Sequence, residues 1–108
     1  MRELIRIVLA DDEDLIRGAL ATLLGLEDDI EVVGQAGDGE TAVELVRNTG
    51  PDLAVFDLEM PRLDGLEAAS RVRAEVEIPI VIVTRHARPG VLKRARASGV
   101  RPPRTRCR

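Results

Sequence analysis

Leu4-Ile5-Arg6-Ile7-Val8-Leu9-Ala10-Asp11-Asp12 is an apolar run that stops abruptly on two carboxylates. Two later stretches repeat the pattern. Leu53-Ala54-Val55-Phe56 ends on Asp57, and Ile78-Pro79-Ile80-Val81-Ile82-Val83 ends on the hydroxyl of Thr84. Short aliphatic runs closed by polar residues read as buried strands. Strands of a parallel sheet finish on one edge, so Asp11, Asp12, Asp57 and Thr84 are expected to meet there.

A single aspartate at a strand end is adequately explained as a helix cap. Caps do not explain why each of these groups follows a buried run. Three gathered carboxylates repel one another, and no lysine or arginine close by in the sequence offsets them, whereas a hard divalent cation would. Mg2+ takes one or two carboxylates, a carbonyl oxygen and several waters, which Asp12, Asp57 and a backbone oxygen of the following loop can supply.

The chain between these strands is helical in pattern. From Glu13 to Leu26, the apolar residues Leu15, Ile16, Ala19, Leu20, Leu23 and Leu24 form one stripe, an amphipathic helix opening at an acidic cap. Ile30 to Ala36 is strand-like, Gly37-Asp38-Gly39 turns into a second helix with Ala42, Val43, Leu45 and Val46 inward, and Gly50-Pro51 ends it. A loop through Met60-Pro61 to Asp64-Gly65 leads to a third helix over Leu66 to Ala74, and Pro89-Gly90 starts a fourth that runs to Ser98-Gly99. Four strand and helix pairs in strict alternation predict an α/β fold: a doubly wound, flavodoxin-like parallel sheet with right-handed crossovers and strand order 2-1-3-4.

Composition narrows the function classes. The 108 residues suit one domain, and 44% hydrophobic content can fill one core. Phe56 is the single aromatic residue, which argues against stacking on nucleobases. Residues 1–100 hold all 19 acids and 12 of the 16 bases, and the last eight residues carry four arginines. Such a tail supports only salt-sensitive, sequence-independent contact with nucleic acid, and no recognition-helix motif is present. No apolar stretch approaches the roughly 20 residues of a membrane span, and no secretion signal opens the chain, so a cytoplasmic location is expected. Cys107, the lone cysteine, rules out an internal disulfide or a cysteine metal site.

Leu9-Ala10-Asp11-Asp12-Glu13, Pro51-Asp52-Leu53-Ala54-Val55-Phe56-Asp57-Leu58-Glu59-Met60-Pro61 and Asp64-Gly65 resemble the response-regulator receiver domain of bacterial two-component signalling. Val32-Val33-Gly34-Gln35-Ala36-Gly37-Asp38-Gly39 is similar to the NarL/FixJ branch, and Thr84 to Gly90 is similar to DesR-type regulators. The resemblance covers residues 4–100. It implies that Asp57 accepts a phosphoryl group from a histidine kinase, a role for which a carboxylate is suited because its acyl phosphate is hydrolysable. It further implies that Asp12, Asp57 and the main-chain oxygen of Glu59 hold Mg2+, that Asp11 positions a metal-bound water, and that Thr84 donates its hydroxyl to the phosphoryl group as the switch.

The end of the chain departs from that family. Family members continue with a fifth strand bearing an aromatic switch residue, a lysine that pairs with the phosphoryl group, and a fifth helix. The usual spacing from Thr84 falls on Pro103 for the aromatic and Arg106 for the lysine, within Arg101-Pro102-Pro103-Arg104-Thr105-Arg106-Cys107-Arg108. Adjacent prolines cannot serve a sheet ladder, so 1–100 is expected as the receiver domain and 101–108 as an atypical tail rich in arginine and proline. Arg85 stands where the family keeps a small residue, and His86 reads as a surface histidine. Loss of the last strand and helix would uncover apolar surface on the first helix and leave a strand edge open, which predicts a homodimer or an exchanged oligomer.

Two rival readings remain at this level. The domain could dock or dimerise without being phosphorylated, which incubation with Mg2+ and a small phosphodonor distinguishes. It could be a Mg2+-dependent aspartyl phosphatase, but Glu59 stands where that chemistry needs a second aspartate as general acid.

Overall fold

A computed structural model describes residues 4–83. Their order is β1 (Ile5–Ala10), α1 (Asp14–Gly25), β2 (Ile30–Ala36), α2 (Gly39–Thr49), β3 (Leu53–Asp57), α3 (Gly65–Arg73) and β4 (Ile80–Val83). The four strands form one parallel sheet in the order β2-β1-β3-β4, as the alternation predicted. The expected fourth helix, Thr84 and the tail lie outside the described residues.

β1 is central, and Ile7 to Ala10 are buried on both faces, as a continuous apolar run in a parallel sheet requires. Val8 and Ala10 face the main core, where α2 and α3 pack against Ala54, Phe56, Ile80 and Ile82. Phe56 is fully buried and is among the largest side chains that are. Ala42, Val43 and Val46 supply the inner face of α2, and Leu66, Ala69 and Val72 that of α3. Both helices are well terminated. Asp38 accepts the Thr41 N–H at 2.8 Å, Gly50 closes α2 in the left-handed region at φ 57°, and Asp64 and Glu67 form a reciprocal capping box on α3.

One expectation needs correction. The last strand begins at Ile80 and not at Ile78: Pro79 has no N–H for a ladder, and only its carbonyl joins the sheet by accepting the Ala54 N–H. Ile78 instead packs, half-buried, against the core. No residue of α1 is buried, and along its leucine stripe Leu15 and Leu23 are 87% and 61% exposed while Leu24 is half-buried. The half-buried positions are Arg17, Gly18, Ala21 and Leu24, which share one face at helical spacing.

Candidate functional site

The register of the sheet builds the site. Ala10 pairs with Phe56 across β1 and β3, so the next residues, Asp11 and Asp57, leave adjacent strands at the same level. This is the switch point of a 2-1-3-4 sheet, where the connections from β1 and β3 leave in opposite directions and open a crevice. Carboxylate oxygens of Asp11, Asp12 and Asp57 all lie within 4.8 Å of one another. Asp12 is exposed, and Asp11 and Asp57 are half-buried.

Local chemistry fixes Asp11 and Asp57. The Asp11 N–H donates to the Ala36 carbonyl at 3.0 Å, and Asp11 Oδ1 accepts the Glu13 N–H at 2.8 Å, which turns the chain into α1. Asp57 closes β3 opposite Val83 of β4, and the Leu58 N–H donates to the Val83 carbonyl at 3.0 Å.

The loop from Leu58 to Asp64 folds back under the site. Gly65 donates its N–H to the Leu58 carbonyl at 2.8 Å, and a Cβ there would sit 3.0 Å from the Asp57 carbonyl carbon and closer still to its oxygen. Only glycine permits α3 to start this near the acceptor strand. At the far side of the loop, Arg62 adopts φ 68° while the Leu63 N–H donates to the Pro61 carbonyl at 2.7 Å, a tight γ-type turn. Arg62 Nη1 then meets Asp38 Oδ2 at 3.2 Å. The Thr41 N–H is the main influence holding the Asp38 carboxyl below its ordinary range; the Thr41 hydroxyl and Arg62 add to it, against an opposing effect of desolvation.

The donor set suits a small hard cation. Octahedral Mg2+ at about 2.1 Å from its ligands spaces neighbouring oxygens by about 3 Å and opposite ones by about 4.2 Å. Oxygens within 4.8 Å reach that range with a small contraction, or with one of them acting through water.

One expectation fails here. The sequence offered no cation near the acids, yet Arg17 lines a small open cleft together with Asp11, Leu20, Asp57 and Val83. A signal was present, since Arg17 lies three residues after Asp14, a spacing that pairs charges on a helix. Glu59 is exposed, and Thr84 lies outside the described residues.

The sequence profile of the response regulator receiver domain matches residues 7–101. The chain is a response regulator receiver domain. This receiver is 44% identical over 98 residues to the transcriptional regulatory protein DesR of Bacillus subtilis, covering 91% of this chain and 49% of DesR. It is 45% identical over 94 residues to the transcriptional regulatory protein PdtaR of Mycobacterium tuberculosis, covering 87% and 45% of the two. The chain thus spans about half the length of these curated relatives. Among solved structures, the signal receiver domain of NarL from Mycobacterium tuberculosis superposes with a TM-score of 0.87 at 34% identity, covering 93% of this chain and 82% of that one. The receiver family is one of signalling modules, and the aspartyl phosphatase reading falls away.

Proposed function

We propose that this receiver is a cytoplasmic, phosphorylation-controlled switch that takes a phosphoryl group from a sensor histidine kinase onto Asp57. The convergence of Asp11, Asp12 and Asp57 at the sheet's switch point carries the reading. A carboxylate oxygen of Asp57 attacks phosphorus, the P–N bond of the donor phosphohistidine breaks, and a P–O bond to Asp57 forms. Asp12, Asp57 and the Glu59 main-chain carbonyl would hold Mg2+, with Asp11 acting through a water. Bound Mg2+ neutralises the acidic cluster and spreads the charge of the transferring oxygens. Thr84, the residue after Val83 in the sequence, gives its hydroxyl to a phosphoryl oxygen in this reading. As a neutral donor, it discriminates phosphorylated from free Asp57 without adding charge.

In this reading, residues 1–100 are the receiver unit, 101–108 are a tail rich in arginine and proline, and the output is transcriptional, as the names of the relatives suggest. Self-association is part of the proposal. Leu15, Leu23 and Leu26 of the α1 flank are 87%, 61% and 74% exposed, and among the described residues β4 pairs only with β3. No described helix is long and apolar enough to cross a membrane.

Incubation with Mg2+ and a small acyl phosphate, followed by intact-protein mass measurement, tests the central claim. One phosphoryl group is expected, and none on Asp57→Asn. A persisting mass gain in that variant, or a Mg2+ titration unchanged by Asp12→Ala, refutes the assignment.

A further inference from the structure

Arg17 stands in the second turn of α1, yet its side chain turns back toward the sheet and is only 17% exposed. Its fork joins three segments. Nη1 donates to the Asp11 main-chain carbonyl at 2.6 Å and to the Ala36 carbonyl at 3.4 Å, Nε donates to Gln35 Oε1 at 3.4 Å, and Nη2 pairs with Asp14 Oδ1 at 2.8 Å. The connected parts are the acidic loop after β1, the end of β2 and the first turn of α1. Gly37 leaves the space, since a Cβ at that position would stand 3.3 Å from Nη1.

The loop that Arg17 grips is the one that needs holding. Asp11-Asp12-Glu13-Asp14 is an unbroken run of acids, and two of them face the carboxylate of Asp57. Mutual repulsion favours swinging the loop outward, away from β3. A guanidinium bound to the loop's own carbonyl on one side and to β2 on the other resists that swing. A lysine would do so only in part, since it offers a point charge in place of a planar fork. An ordinary helix ion pair between Asp14 and Arg17 would stabilise only the helix, by a small amount, and would leave the pocket unaffected.

We infer that Arg17 is a positioning residue for the acidic pocket: it holds the loop after β1 so that Asp11 and Asp12 face Asp57, acting through the main chain and not on the reacting atoms. The inference rests on the reading of that pocket as a Mg2+ and phosphoacceptor site. Because Arg17 orders ligands without touching the phosphoryl group, its loss weakens Mg2+ binding and leaves the rate at saturating Mg2+ intact.

The test uses the full chain with Arg17→Gln, Arg17→Lys and Asp14→Asn, and reads the Mg2+ dissociation constant by calorimetry, amide exchange of Glu13 in metal-free protein, and phosphorylation as a function of Mg2+. For Arg17→Gln, Mg2+ affinity falls on the order of tenfold, as for other outer partners of metal ligands. The Glu13 N–H exchanges faster, and the phosphorylation deficit disappears at high Mg2+. Arg17→Lys falls between, and Asp14→Asn binds Mg2+ like the parent. Unchanged affinity and exchange in a folded Arg17→Gln variant overturn the inference. Should that variant fail to fold, Arg17→Lys carries the test, and Mg2+ affinity and Glu13 exchange equal to the parent's in that variant overturn the inference. If the parent chain shows no Mg2+ binding, the pocket reading fails, while the exchange arm still decides whether Arg17 holds the loop.

Discussion

Gly65→Ala separates two opposing effects of one methyl group. Gly65 is the first residue of α3, and replacing a helical glycine by alanine normally stabilises by about 0.4–1 kcal/mol through the unfolded chain. Here the new Cβ would lie 3.0 Å from the Asp57 carbonyl carbon and 3.1 Å from Leu58 Cα. Carbon atoms prefer about 3.5–4.0 Å, so β3 and α3 must part by about half an ångström or more. Overpacking of this kind costs about 1–3 kcal/mol, and backbone on both sides puts the site at the upper end. The net expectation is a loss of about 2 kcal/mol, or about 8–16 °C in Tm for a domain this small. The chain has no tryptophan or tyrosine, so urea unfolding is followed by far-UV circular dichroism. The same movement displaces the Asp57 main chain and weakens Mg2+ binding. Gly18→Ala is the control, because nothing lies within 4 Å of a Cβ at that helical position, and it should stabilise by about 0.5–1 kcal/mol. A Gly65→Ala protein as stable as the parent would refute the close approach that defines this corner of the site.

Asp38→Ala removes the cap of α2, at a cost of about 1 kcal/mol in urea unfolding. Its pH dependence has a definite sign: the Asp38 carboxyl is held below its ordinary value of 3.8, so its contribution is complete above that pH and fades as pH falls through the lower folded value. Acid unfolding curves of the parent and Asp38→Asn should therefore converge at low pH, and a gap that widens on acidification would contradict the sign. Phe56→Ala empties the centre of the core and costs about 3–5 kcal/mol, read as a lower urea midpoint with an unchanged slope. Self-association through the α1 flank predicts a scattering mass above that of one chain, shifted toward monomer by Leu15→Lys with Leu23→Lys. A parent chain that stays monomeric at high micromolar concentration would dismiss it.

The sheet was legible because three of its four strands carry their own stop: an apolar run followed by or ending on an oxygen-bearing side chain says both where the strand ends and which edge it ends on. Pairing Ala10 with Phe56 then brings Asp11 level with Asp57, so the pocket follows from topology without knowledge of any side-chain contact. The boundary at Ile80 is written in the sequence too, since the missing N–H of Pro79 outranks the apolar character of Ile78.

Helix α1 shows where such reading stops. Leucine periodicity marks a stripe as apolar but does not say which positions meet the sheet: Arg17, Gly18, Ala21 and Leu24 are half-buried, whereas Leu15 and Leu23 are exposed. That outcome also turns Arg17 inward. Its guanidinium then finds the carbonyls of Asp11 and Ala36, partners that only the folded backbone supplies and that residue spacing cannot reveal. Carboxylate convergence is thus written in the strand ends, whereas the device that steadies those carboxylates depends on how one helix is rotated about its axis.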